Sequence, residues 1–306
     1  MDILEKICNS KRLEIAQQKE AIPLNSSVIA DLISDPFDYP VIAGLTRNPL
    51  TSSPIRKKVS FKQALIESKS GIIAEFKRKS PSKGWINQGA DVASIVKSYE
   101  ASGATAISCL TDEPFFGGSF ADFKKAREVI ERIPLLRKDF ILDEYQLFQS
   151  KIMGADVVLL IAACLTAGEI ARFTSIAHDL DMEVLLEIHE ESELDMICPN
   201  IDVIGINNRN LKTFVTDVNC SLDLGSKIPD SFVKISESGI SKPETVVQLR
   251  QAGFRGFLMG ENFMKTSSPG EALSGFIGKT ACHSAPDAET HEKSTRIQVD
   301  CGSSPQ

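Results

Sequence analysis

Between residues 71 and 260 the chain alternates between two patterns. Short, nearly continuous apolar runs occur at GIIAEF (71–76), AISCL (106–110), PLLRKD (134–139), DVVLLI (156–161), EVLLEI (183–188), DVIGIN (202–207), FVKISES (232–238) and GFLMG (256–260). Between them lie longer segments, such as DVASIVKSYEASG, DFKKAREVIERI, AGEIARFTSIAHDL and KPETVVQLRQAG, whose apolar residues recur every three or four positions. The runs read as strands buried on both faces, the longer segments as amphipathic helices. Strict strand–helix alternation predicts an α/β domain with a parallel sheet. Eight such units fit a (β/α)8 TIM barrel, a fold of about 250 residues. A doubly wound open sheet is the alternative, but no GxGxxG follows any strand and no phosphate-binding P-loop is present.

The flanks differ. Ile3, Leu4, Ile7, Leu13, Ile15 and Ala16 have helical spacing, so residues 2–20 are predicted to form an amphipathic helix. A second short helical piece is expected at 28–34, and residues 1–34 read as an N-terminal helical extension. Residues 35–59 carry four prolines among Thr, Ser and Asn, which predicts a linker or long loop over 35–60. The barrel is expected over 61–279. A tail over 280–306, poor in large apolar residues, is expected to be disordered.

Polar residues collect where the predicted strands end. Glu75 and Lys77 close the first strand, Lys138 the third, Glu187 the fifth, Asn207 and Arg209 the sixth, and Glu237 and Ser238 the seventh. In a barrel those C-terminal ends form the mouth that carries the chemistry. Glu75 and Lys77 are two apart on a strand, so both point to the same side as Ile73. The bland reading is a strand-end salt bridge. Convergence of Lys138 and Glu187 on the same mouth favours a catalytic cluster. Three small-residue segments could cradle a phosphate: Ser80-Pro81-Ser82-Lys83-Gly84, Ser238-Gly239-Ile240-Ser241 opening the helix after the seventh strand, and Met259-Gly260-Glu261-Asn262 after the eighth. Arg78, Lys79 and Lys83 read as solvated loop charge, or as steering for an anionic ligand. His178 and His189 read as structural, Cys109 and Cys164 as packing residues. Phe115-Phe116 reads as core or as a lid.

Composition narrows the classes. The 306 residues are 42% hydrophobic and 25% charged, with net charge −7. That balance argues against bulk nucleic-acid binding. The seven cysteines form no CxxC pair and only four histidines are present, so neither a disulfide framework nor a zinc site is expected. The charged N-terminus lacks the apolar core of a secretion signal, and no apolar run reaches membrane-spanning length. A cytoplasmic protein without a membrane segment is expected.

Eight motifs in order, EFKRKSPSKG, LTDEPFFGGS, LLRKDFILDEYQ, GADVVLLI, LEIHEESEL, IGINNRNL, ISESGI and FLMGENFM, closely resemble indole-3-glycerol phosphate synthase of tryptophan biosynthesis. The resemblance is dense from 61 to about 278 and looser in the N-terminal helix. It implies ring closure, decarboxylation and dehydration of 1-(2-carboxyphenylamino)-1-deoxyribulose 5-phosphate, with no metal and no organic cofactor. It also implies residue roles. Lys138 resembles the general acid for ring closure, and Glu187 the acid/base for later proton transfers. Glu75 and Lys77 resemble the orienting pair, with Lys77 a proton donor in dehydration. Asn207, Arg209 and Ser238 match substrate-binding positions; Ser80, Gly239, Gly260 and Glu261 match phosphate-binding ones. The implied partners are a small anionic substrate and, weakly, other tryptophan-pathway enzymes. Two rivals are a phosphoribosylanthranilate isomerase, which needs a Cys/Asp pair where this chain offers Lys and Glu, and a non-catalytic binding barrel.

Overall fold

A computed structural model describes residues 2–23, 59–210, 213 and 215–282. The helical piece expected at 28–34, nearly all of the 35–60 linker and the tail beyond 282 lie outside the described residues.

Eight parallel strands close into a barrel in sequential order: β1 (Ile72–Phe76), β2 (Ala106–Leu110), β3 (Leu135–Lys138), β4 (Val157–Ile161), β5 (Glu183–Ile188), β6 (Val203–Asn207), β7 (Val233–Glu237) and β8 (Gly256–Met259). β8 pairs back with β1 through Ile73 and Leu258. The expected barrel is therefore observed, each predicted strand within a residue or two of its place.

Continuous apolar runs follow from burial on two fronts. One set of side chains, including Ile72, Ala74, Val158 and Leu186, packs outward against the helices. The alternate set, including Ile73, Leu136, Leu159, Leu185, Ile235 and Leu258, fills the barrel interior. Period two then dictates what stands above that inner layer. Two residues beyond Ile73, Leu136, Leu185 and Ile235 come Glu75, Lys138, Glu187 and Glu237. One strand parity thus supplies both the apolar floor and the charged mouth.

The opposite end is plugged. Helix α2 (Phe61–Glu67), capped by the Ser60 side chain, inserts Phe61 and Leu65 into the inner cluster with no exposed surface. Glu183 at the foot of β5 accepts a hydrogen bond from the Lys62 N–H at 2.8 Å. At the far end of the chain, helix α11 (Pro269–Cys282) overruns the expected boundary at 279. Thr280 is buried and its hydroxyl donates to the Ile277 carbonyl at 2.8 Å, so the last turn stays on the barrel. α11 is counted in chain order after α3 (Val92–Ala101), α4 (Glu113–Phe116), α5 (Phe120–Val129), α6 (Tyr145–Met153), α7 (Ala167–Asp179), α8 (Asn219–Gly225), α9 (Pro243–Gln251) and α10 (Glu261–Met264).

The N-terminal helix α1 (Ile3–Ala21) lies over the mouth. Its anchor is Lys11, only 1% exposed, whose ammonium is 2.7 Å from Glu14, 3.2 Å from Asp112 and 3.1 Å from Asp139. Burial opposes the Lys11 charge, but Asp139, Asp112 and Glu14 outweigh it and push its pKa up. Asp139 is also held by Arg137 at 2.9 Å and by the Thr111 hydroxyl at 2.6 Å. Lys11→Met removes one partner and leaves Asp112 and Asp139 as buried anions. The variant is expected to lose about 3–5 kcal/mol of stability, the typical cost of breaking a buried ion pair, read as a fall in the urea midpoint.

Candidate active site

The mouth holds a cavity of about 480 Å³, lined by strand tips, βα loops and the first turns of α1. Every residue to which the family resemblance gave a role lines it, from Glu75, Lys77 and Ser80 through Lys138, Glu187, Asn207, Arg209, Ser238 and Gly239 to Gly260 and Glu261, whereas Arg78, Lys79, Gly84 and Phe115 do not.

At its base Lys138 Nζ lies 3.0 Å from Glu187 Oε2 and 3.7 Å from Glu237 Oε2. Burial opposes the ammonium, but Glu187 first, then Glu237 and Glu75, outweigh it and raise its pKa above the usual lysine value. The two carboxylates respond in opposite directions. Burial pushes against Glu187, yet Lys138 and then His189 and Asn207 hold it well below the carboxylate range. Burial, reinforced by the charge of Glu187, lifts Glu237 to about 8. Like charges this close do not both ionise easily, so the site offers an anion and a proton-bearing acid side by side. Asn207 Nδ2 donates to Glu187 Oε1 at 3.0 Å, while Asn207 Oδ1 accepts from the Arg209 N–H at 3.1 Å. Lys77 pairs with Glu75 at 2.5 Å on the inward side of β1.

Two glycines make this crowding feasible. A Cβ on Gly205, in β6, would stand 2.3 Å from Glu237 Oε1, and one on Gly260 would stand 2.6 Å from Glu75 Oε1. Gly260 therefore clears space for the Glu75 carboxylate as well as bordering the cavity.

The segments expected to hold a phosphate share one side of the cavity. Gly239 does not open a helix, as the sequence led us to expect; it stands in a turn four residues before α9, whose first residue is Pro243. The turn is tight. Ser238 has φ +66 and Gly239 φ +75, and Asn208 Nδ2 fastens it by donating to the Ser238 carbonyl at 3.0 Å. A non-glycine residue in this region is strained, and such strain clusters at functional sites. Ser80 Oγ is buried without a hydrogen-bond partner, as is Arg209 Nε, while Arg209 Nη1 donates to Ser82 Oγ at 2.9 Å. Glu261 is neutralised by Lys83 at 2.6 Å.

The loop cations are not free charge. Arg78 forms a two-pronged pair with Asp122 at 2.5 and 3.0 Å, donates to the Ala90 carbonyl and sits 4.9 Å over the Phe76 ring. It clamps the loop after β1 to α5. Lys79 donates to the Pro114 carbonyl at 2.8 Å and lies over Trp85. His178 pairs with Asp202 at 2.8 Å and lies outside the lining of the cavity.

Sequence reasoning placed Glu237 at the tip of the seventh strand but gave it no role, although it has the same inward parity as Glu75. It also missed the apolar wall. Ile3, Leu4 and Ile7 of α1 line the cavity with Phe116 and Phe140, whose ring centroids are 6.2 Å apart. Phe116 thus faces the cavity, in line with the lid reading.

The family model described as indole-3-glycerol phosphate synthase matches residues 4–275. An indole-3-glycerol phosphate synthase of Bacteroides thetaiotaomicron is 51% identical over 276 residues, covering 90% of this chain and 98% of the relative. One from Delftia acidovorans is 41% identical over 279 residues, covering 89% and 98%. Among solved structures, the tryptophan synthase A-subunit of Pyrococcus furiosus superposes with a TM-score of 0.51 at 16% identity, covering 70% of this chain and 98% of that one, which bears on the fold alone.

Proposed function

The chain belongs to the indole-3-glycerol phosphate synthase family, and on that premise we infer that it converts 1-(2-carboxyphenylamino)-1-deoxyribulose 5-phosphate to indole-3-glycerol phosphate. It is a carboxy-lyase of tryptophan biosynthesis. The reaction joins the carboxylated ring carbon to the ketone carbon and expels carbon dioxide and water.

The observation that carries the residue assignment is the buried ammonium of Lys138 between Glu187 and Glu237 at the cavity base. Attack by an aromatic carbon on a ketone piles charge on the ketone oxygen, so a positioned proton donor lowers the barrier. Lys138 fills that role, donating its proton as the carbon–carbon bond forms. The ring carbon then carries four substituents and has lost aromaticity. Release of carbon dioxide returns the bonding pair to the ring and restores it. In the last step the new hydroxyl leaves as water, with Lys77 as donor and Glu187 accepting the proton given up by the heterocycle. Glu75 orients Lys77, and Asn207 and Arg209 face the substrate carboxylate. Phe116, Phe140 and the α1 side chains cover the anthranilate ring. Cytoplasmic location and weak association with other enzymes of the same pathway extend this reading. No helix among the described residues is long and apolar enough to cross a membrane.

Appearance of indole fluorescence when the purified chain meets this substrate tests the activity. No signal, with folding verified, would return the barrel to isomerase or binding roles.

Phosphate binding is assigned to the Ser80 hydroxyl and the backbone at Gly239, Gly260 and Glu261. Gly239→Val forces a side chain into a left-handed turn, with its Cβ 2.5 Å from Thr216 Cγ2. It is expected to raise KM about 10-fold or more while kcat changes little. Gly260→Val should lower kcat as well, because its Cβ displaces Glu75. Glu261→Gln should leave both nearly unchanged, since only the backbone N–H is used. Unaltered competition by inorganic phosphate in a folded Gly239→Val protein would place the phosphate elsewhere in the mouth.

A further inference from the structure

His189 follows the end of β5, two residues beyond Glu187. In an extended segment that spacing puts both side chains on the same side. The imidazole is nearly enclosed, its side chain 9% exposed. Its Nε2 lies 3.1 Å from Glu187 Oε1 and its Nδ1 lies 3.6 Å from Glu193 Oε2. Neither approach has hydrogen-bond alignment, so both are ion-pair contacts. Glu193 is itself fixed, accepting the backbone N–H of His189 at 2.5 Å and of Glu190 at 3.4 Å. His189 is thus enclosed between two carboxylates and lies outside the lining of the cavity.

We propose that His189, clamped by Glu193, is a positioning residue for this reaction: a cationic brace that fixes Glu187 through Oε1 and leaves Oε2 to Lys138. The inference rests on the assignment of Glu187 as the acid/base group.

Charge balance gives the reason. Glu187, Glu237 and Glu75 crowd one mouth, and Lys138 is shared between Glu187 and Glu237. Glu237 carries the proton of the pair and Glu187 the charge, so without a further cation Glu187 would depend on an ammonium that also faces Glu237, and it would hold a proton more tightly. Among the groups around His189, the two carboxylates favour its charged form. Glu187 shares its strand, Glu193 is in the following turn, and Cys164 after β4 senses both carboxylates. From α8, Cys220 donates to the His189 carbonyl at 3.6 Å, and Lys138 is one carboxylate away. Burial works against the imidazolium, but Glu187 and Glu193 lift it to about 9, so it is charged at neutral pH.

The test uses the full chain and three variants, His189→Gln, Glu193→Gln and Glu187→Gln, with kcat, KM and the pH profile of kcat measured for each. His189→Gln is expected to lower kcat about 10-fold with KM nearly constant. Its acidic limb should move up by about one pH unit, because Glu187 loses a cation and protonates more readily. Glu193→Gln keeps the ring but removes an anion, so the imidazolium deprotonates at lower pH. Its kcat should fall off on the alkaline side earlier than in the parent, and this variant decides the matter if His189→Gln does not fold. An unchanged kcat and pH profile in both variants overturns the proposal. So does a loss of melting temperature with unmoved pH limbs, which would mark a purely structural imidazole. Glu187→Gln separates the two levels. If it is inactive while the His189 and Glu193 variants are normal, only the brace fails; if it turns over normally, the acid/base assignment fails and the brace with it.

Discussion

Lys138→Met should abolish most turnover while the barrel stays folded. General acid catalysis typically contributes about 10²–10⁴-fold, and this residue is the donor for the first bond-forming step. The methionine fills the volume of the lysine stem, so packing in the mouth is preserved. What changes is the fate of Glu187 and Glu237, which lose their shared cation. In the parent, Glu237 has a pKa of about 8 against an ordinary 4.5. The folded state therefore holds a proton that the unfolded chain releases, and the stability this gives is lost as pH climbs from about 4.5 towards 8. With Lys138 gone the loss should be steeper, so the melting temperature of the variant should fall more between pH 6 and 8 than that of the parent. Steady-state rates near the parent value would remove Lys138 from the chemistry.

Glu187→Gln should be nearly as severe, with a fall in kcat of about 10²–10⁴-fold and substrate binding largely retained. Glutamine keeps the shape and can still accept from Asn207, but it cannot take up and return a proton. A second consequence carries its own sign. Glu187 is the main charge supporting the Lys138 ammonium. Without it the lysine pKa drops, and residual activity should decline at a lower alkaline pH than in the parent. A change confined to KM would make Glu187 a binding residue and would overturn the acid/base role.

Both predictions depend on juxtapositions that were only partly legible in the chain. Strand parity is local information. Ile73, Glu75 and Lys77 alternate with outward residues whatever the rest of the molecule does, and the same holds for Leu136 and Lys138 or Leu185 and Glu187. Eight such runs at regular spacing leave little choice of fold, because two apolar faces must be covered and only a helix-wrapped parallel sheet covers both. The barrel, its mouth and the candidate residues lining it were accordingly readable without coordinates, and the motif order carried the family.

Contacts between elements were not readable, because they depend on how the barrel closes and on where α1 docks. Nothing near Lys11 in sequence announces Asp112 and Asp139 as its partners. Arg78 reads as one cation in a basic loop, yet Asp122 captures it through a contact 44 positions away. Gly260 reads as a phosphate turn; only closure of β8 against β1 shows that it also clears room for Glu75. His189 and Glu193 are four apart in an ordinary polar stretch, and the second partner of the imidazole is set by the end of β5 turning into the following 3₁₀ helix, Glu191–Met196. The sequence by itself determined which side chains point into the mouth, since period two is a property of each strand alone. Tertiary structure decided which charges share a proton, because pKa values follow distances and burial across strands that no local pattern encodes.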